Sequence, residues 1–273
     1  MTGGRGKGAA LFAAACLMTL YSLGPVAVMV AVSLARDPLS TLSGGLTLAH
    51  YADLVRGPSL HFLDYLKNSF LVSALSSTLS IAVTSAAAFA VVQLRLPVRR
   101  QFVMAVLALS MIPQVSAVGY LFKLMARFGL INTRTALILP YSAWSAPLIL
   151  WLLVSYFSRI PPDLYRAALV DGSSRWQSFT RVIFPAAAPG IFSAWLLSFI
   201  FSFNEFLFAL VLTSDYRART VPVGVALFQG LHGEIPWGIL MASAALGSLP
   251  VIATAVIFQK RIVSGLMEGI VRG

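Results

Sequence analysis

The stretch Arg159-Ile160-Pro161-Pro162-Asp163-Leu164-Tyr165-Arg166-Ala167-Ala168-Leu169-Val170-Asp171-Gly172-Ser173-Ser174-Arg175-Trp176-Gln177-Ser178-Phe179-Thr180-Arg181-Val182-Ile183-Phe184-Pro185 separates two long apolar runs. Pro161 and Pro162 mark a helix start, and Asp163 suits the positive end of a helix dipole. Leu164, Ala167 and Ala168 then fall on one face at i, i+3 and i+4. Asp171-Gly172 ends the helix, glycine being free to take the left-handed C-terminal conformation. Ser173 or Ser174 caps a second helix, in which Trp176, Phe179 and Ile183 share a face. The loop therefore predicts two short amphipathic helices. The first carries small residues that let another protein approach its backbone; a loop resting on headgroups is the alternative.

Working outward, windows free of charge run over 9–35, 68–94, 101–122, 135–158, 182–214 (interrupted only by Glu205) and 235–259. A membrane-crossing helix needs about 20 such residues, so six spans are expected. Pro185, Pro189 and Gly190 place the start of the fifth near Ile191. Pro25, Pro113, Pro140, Pro147 and Pro250 fall inside spans, as kinks or as tolerated prolines. The Gly-rich Thr2 to Gly8 reads as a linker, and Gly265 and Gly269 read as turn residues after the last span.

Composition agrees. The chain of 273 residues is 58% hydrophobic and 11% charged, against about 25% charged residues in soluble domains. The net charge of +11 does not point to nucleic acid, because the basic residues sit in short groups between apolar runs and build no groove-sized patch. With both termini on the cytoplasmic side, twelve Lys and Arg lie inside (Arg95, Arg99, Arg100, Arg159, Arg166, Arg175 and Arg181 among them) and eight outside, the bias expected of membrane proteins. Outer segments then cover about 36–67, 125–134 and 215–235. The single cysteine, Cys16, rules out an intramolecular disulfide and reads as a packed residue, since the apolar run continues past it to Ala35.

No catalytic constellation is present. Gly6-Lys7-Gly8 is not a phosphate-binding loop, because Ser or Thr must follow the lysine. His50, His61 and His232 lack metal-ligand spacing. Glu205 is the only charge well inside a span, and such a group costs several kcal/mol to bury. With Asn204, Phe201, Phe208 and neighbouring phenylalanines it either lines a solute path or makes a structural hydrogen bond; both readings stand.

The loop resembles the EAA coupling loop of permease subunits in ATP-binding-cassette importers. Ala167-Ala168, three residues, Gly172, nine residues, then Val182-Ile183-Phe184-Pro185 reproduces that pattern's spacing, with Arg166 where the family carries Glu. Phe203-Asn204-Glu205-Phe206 resembles the Trp-Asn-Glu-Phe stretch of carbohydrate permeases, and Gly129-Leu130-Ile131-Asn132-Thr133 resembles their turn after span three. The tail from Gln259 to Gly273 resembles that of the maltose-type second permease. The resemblance covers most of the chain from Gly129 onward.

It implies an all-α polytopic protein with the six-helix type I importer permease fold. Residues 1–273 would form one transmembrane domain in a bacterial cytoplasmic membrane, with 159–189 as its cytoplasmic coupling loop. It implies a non-enzymatic pore subunit for a sugar, paired with a second permease, a dimeric cytoplasmic ATPase and an extracytoplasmic solute-binding protein. No cofactor would bind this chain, ATP and Mg belonging to the ATPase. Arg166, Ala167, Ala168, Asp171 and Gly172 would dock on the ATPase; Arg166 would need a partner other than the family's. Phe201, Asn204, Glu205 and Phe208 would line the solute path. Two alternatives remain: a stand-alone secondary transporter, which calls for more intramembrane ionisable groups and an internal repeat, and a permease for a polyol or glycerol phosphate, for which Lys123, Arg127 and Arg134 would supply positive charge.

Overall fold

The computed structural model describes residues 3–37, 45–57, 59–94, 98–228 and 236–270, and side chains from residue 11 to 257 within them. Arg5, Lys7, Arg95, His232, Glu234, Lys260, Arg261 and Arg272 fall outside the described side chains.

The regular structure of the described residues is helical, apart from one isolated bridge between Ala35 and Leu46. The helices are α1 (Gly3–Leu34), α2 (Ala49–Arg56), α3 (Phe62–Gln93), α4 (Arg99–Leu109), α5 (Gln114–Arg127), α6 (Thr135–Phe157), α7 (Pro162–Val170), α8 (Arg175–Ser178), α9 (Phe184–Ala186), α10 (Ala188–Phe203), α11 (Leu207–Leu212), α12 (Val221–Leu227) and α13 (Trp237–Ile270). Four are long and apolar enough to cross a membrane: α1, α3, α6 and the first part of α13. Two further spans result if each of two bent pairs counts as one, α4 with α5 (82°) and Arg175–Ala186 with α10 (79°). Six spans thus fit the structure, two of them broken.

Four local expectations are corrected. Pro113 does not kink a continuous span; it stands between α4 and α5 as the residue before Gln114, where its missing N–H breaks no helical bond. The Gly-rich start is no linker, because α1 begins at Gly3. Gly265 and Gly269 are helical, α13 running on to Ile270. Cys16 is exposed on a helix whose apolar window is 0% buried within the chain.

The chain divides into two compact units, Met1–Leu63 with Val225–Leu249, and Asp64–Gly224 with Pro250–Gly273. In the first, the chain beyond α1 returns on itself: Arg36 N–H donates to Gly45 C=O (3.0 Å) and Thr47 N–H to Leu34 C=O (2.7 Å). The hydroxyls of Ser33 and Tyr51 are 2.6 Å apart. His50 Nε2 lies 3.1 Å from Ala35 C=O and its ring packs on Gly238, where a Cβ would come within 2.3 Å. This histidine is a structural group.

The second unit has two apolar clusters. One gathers Phe89 and Val91 of α3, Ile149, Leu153 and Phe157 of α6 and Ala194 of α10 around Tyr165, Phe179 and Ile183 of the loop 159–189. The other joins Val72, Met125, Leu137 and Tyr141 to Phe208, Ala209 and Leu212 of α11. Between α3, α6 and α10 runs a seam of hydroxyls. Ser145 donates to Ser80 (3.1 Å), Ser198 to Ser145 (3.2 Å) and Ser76 to Ser202 (3.1 Å). Small side chains let helices approach closely where water is absent, and such bonds add modest glue.

Candidate functional site

The loop 159–189 begins with α7. Pro162 opens it at the first turn, where a missing N–H costs nothing. Gly172 closes it at φ +84°, with Gly172 N–H bonded to Leu169 C=O and Ser173 N–H to Ala168 C=O. A residue with a Cβ would be strained in this left-handed conformation. Ser174 then caps α8 in a reciprocal box: its hydroxyl accepts from Gln177 N–H (3.2 Å), while Gln177 Oε1 accepts from Ser174 N–H (2.8 Å). Both the left-handed glycine and the serine cap match the sequence reading.

The faces differ from expectation. In α7 the buried residues are Tyr165 and Ala168; Leu164 and Ala167 are exposed. Tyr165 decides the orientation by its bulk, meeting Phe89 of α3 edge-on at 5.5 Å. The outward surface is Leu164, Ala167, Leu169, Val170, Asp171 and Gly172, and Val170 is 86% exposed. Likewise Phe179 and Ile183 are buried but Trp176 is 67% exposed. The helix widens to a π turn over Phe179–Ile183, ending two residues before Pro185, which has no N–H to donate. Phe179 packs 5.0 Å from Phe89. One phenylalanine of α3 thus receives both arms of the loop.

Arg166 finds its partner on its own helix, Asp163 Oδ1 at 3.0 Å, both side chains largely in solvent. Such an exposed pair contributes at most about 1 kcal/mol. Where the loop re-enters the apolar region, Gly190 lies under the Tyr156 ring, and a Cβ would come within 2.4 Å of it. This close approach fixes α10 against α6.

The residues proposed for the solute path separate. Phe201 and Asn204 are exposed, while Glu205 and Phe208 are buried. Glu205 sits in the break between α10 and α11, and its two oxygens accept backbone N–H groups of Phe208 (2.8 Å) and Ala209 (3.2 Å). A carboxylate at the positive end of a helix that satisfies two otherwise orphaned donors is held favourably. The Asn204 side chain donates back to Ile200 C=O (2.8 Å). Phe208 packs edge-on against Trp144 at 5.4 Å. Glu205 therefore has a structural hydrogen bond, made to its own chain.

Sequence reasoning missed a polar clasp at the opposite end of the second unit. Asn132 adopts φ +60°, its N–H donates to Leu212 C=O (2.9 Å), and its Oδ1 accepts from Ser214 N–H (3.0 Å) and Asp215 N–H (3.2 Å). Asn68 donates to the carbonyls of Tyr216 (2.9 Å) and Arg219 (3.0 Å) and accepts from Arg134 Nε (2.8 Å). The Asn132 side chain, and then the Arg217 N–H, hold the Asp215 carboxyl below its ordinary pKa. The Gly129–Thr133 stretch marked a turn at Asn132 in the sequence but gave no sign of its distant partners. Among the described residues no cluster of His, Cys, Asp and Glu could hold a metal ion.

The family described as the binding-protein-dependent transport system inner membrane component matches residues 68–267. The chain is 48% identical over 268 residues to the trehalose/maltose transport system permease protein MalG of Thermococcus litoralis, covering 96% of each. It is 38% identical to the trehalose transport system permease protein SugB of Mycobacterium tuberculosis, covering 94% of this chain and 95% of that one. It is 37% identical to the sulfoquinovosyl glycerol transport system permease protein SmoH of Agrobacterium fabrum, covering 96% and 93%. In fold it is similar to a chain of a bacterial ABC transporter that imports alginate, with a TM-score of 0.79 at 19% identity over 96% of this chain and 98% of that one. The spans, the loop with its left-handed glycine and these likenesses converge: the chain belongs to the membrane-embedded permeases of binding-protein-dependent transport systems.

Proposed function

We propose that the chain forms half of the pore of an ATP-driven sugar importer and receives the ATPase on the outward face of α7. The observation that carries the reading is the combination of the Val170-Asp171-Gly172 knob with two aromatic anchors on Phe89. Leu169, Val170 and Asp171 stand out for a partner, while Tyr165 and Phe179 are packed behind them. A push on the knob is thus delivered to α3 through ring contacts of 5.5 and 5.0 Å. The π turn before Pro185 supplies a hinge. A second permease completes the pore, a solute-binding protein delivers the sugar outside, and a pair of ATPase subunits binds ATP and magnesium. The loop faces the cytoplasm.

The sugar class rests on relatives named for trehalose, maltose and sulfoquinovosyl glycerol transport. Phe201 and Asn204 are the two path residues whose exposure leaves them open to a solute. For the polyol or glycerol phosphate alternative, Arg134 donates through Nε to the neutral Asn68 side chain and keeps its positive charge.

Affinity capture of the chain from membranes in mild detergent tests the reading. A second permease and a soluble ATPase should co-purify, and the ATPase should be lost from G172P. Capture of the intact chain alone would overturn it.

A further inference from the structure

A cavity of about 430 Å³ opens between the start of α4 and the end of α6, lined by Arg99, Arg100, Gln101, Val103, Met104, Trp151, Val154 and Ser155. It belongs neither to the coupling knob nor to the solute path. We propose that it binds one anionic phospholipid, the phosphate held by Arg99 and Arg100 and an acyl chain lying along Val103, Met104, Trp151 and Val154.

Charge comes first. Neither guanidinium is paired with a carboxylate among the described residues. Arg99 donates through one nitrogen to the Ser158 hydroxyl; a guanidinium has five N–H donors, so the bond steadies the group and leaves most of them available. These residues also form the first turn of α4. Val98 before it makes no side-chain cap, so the turn's N–H groups and positive dipole end add to the same field.

The lining is ordered along both helices. The basic rim lies at the start of α4, and the apolar wall follows one turn along the helix at Val103 and Met104. On α6, Trp151 lies about two turns before Ser158. A soluble anion would use the rim and leave the wall bare. An amphiphile uses both, and tryptophan is favoured near membrane boundaries. Basic pockets between spanning helices on the cytoplasmic side suit anionic lipid headgroups. Through the Arg99–Ser158 bond the rim stands on the same side as the loop beginning at Arg159. Only the choice of leaflet rests on the proposed cytoplasmic placement of that loop.

The test uses the whole importer, delipidated and re-supplied with either phosphatidylglycerol or phosphatidylcholine, with retained lipid counted by native mass spectrometry. The wild type should retain phosphatidylglycerol roughly tenfold better or more, given about fivefold per basic residue near a charged surface. R99Q/R100Q should abolish the preference and R99K/R100K should keep most of it. M104N should weaken retention of phosphatidylglycerol, and millimolar inorganic phosphate should not displace it. Equal retention of the two lipids, an unchanged preference in R99Q/R100Q, or displacement by phosphate would overturn the proposal. So would a photo-crosslinker at Met104 that captures the second permease instead of lipid. Should R99Q/R100Q fail to assemble, the wild-type comparison and R99K/R100K still decide. Lipid retention is read without transport, so a failure here is distinct from a failure of the importer assignment.

Discussion

Both oxygens of the Glu205 carboxylate are occupied by the first N–H groups of α11. Replacing Glu205 by Ala strands two buried donors at about 1–3 kcal/mol each. E205A should therefore lower the thermal midpoint of the purified complex clearly. E205Q keeps one oxygen acceptor, should lower it less, and should transport at near wild-type rate per assembled complex. A severe transport loss in a fully assembled E205Q complex would return Glu205 to the solute path. At Gly172 the backbone at φ +84° makes G172A cost about 1–2 kcal/mol, read as weaker ATPase retention on heating. Gly172 was legible from sequence because a glycine after a short helix has one common purpose. The contacts of Asn132 were not: the Gly129–Thr133 stretch marked a turn, but its partners Leu212, Ser214 and Asp215 lie some eighty residues away.

Among the elements, α7 has the most direct consequence. V170D places a charge on an outward, 86% exposed side chain and touches no core residue. It should leave expression and permease pairing unchanged while reducing ATPase co-purification severalfold; undiminished co-purification would move the contact elsewhere on the loop. S174A removes the reciprocal cap of α8 and should cost about 1 kcal/mol. The segment after α11 responds to acid instead. Because the Asp215 carboxyl is held below its ordinary value of 3.8, its stabilising contribution is complete above that value and lost as pH falls through the lowered one. Amide protection factors in residues 213–219, corrected for the intrinsic pH dependence of exchange, should be flat from neutral pH down to weak acid and fall only below it, and D215N should remove the step. The existence of α7 and α8, both ends of α7 and the start of α8 were readable from Pro162, Gly172 and Ser174. Their faces were not: Leu164-Ala167-Ala168 and Tyr165-Ala168 are equally good helical stripes, and only Phe89, on a helix far away in sequence, selects the second. The breaks at Pro113 and Ala187 were half legible. Proline announces a disturbance, but whether a helix kinks or stops depends on what its far side packs against.

At the scale of the molecule, six windows of apolar sequence correspond to four continuous helices long enough to span and two bent pairs, so the windows gave the number of spans and left their irregularities to packing. The exposed Cys16 is replaceable at less than about 0.5 kcal/mol, which yields a background for mapping sidedness. A cysteine introduced at Val170 should react with a membrane-impermeant thiol reagent in inside-out vesicles of the chain expressed without its ATPase, and remain unlabelled in right-side-out ones. The opposite pattern would invert the orientation drawn from the lysines and arginines. A last consequence lies in the hydroxyl seam of Ser80, Ser145 and Ser198. A hydroxyl gives and takes with the same atom, so every arrow in the row can reverse together without stranding a partner. A row of amides or ion pairs would lock its helices into one register. A row of serines has no fixed polarity, so its donors and acceptors are free to exchange roles while α10 stays held against α6 at Gly190.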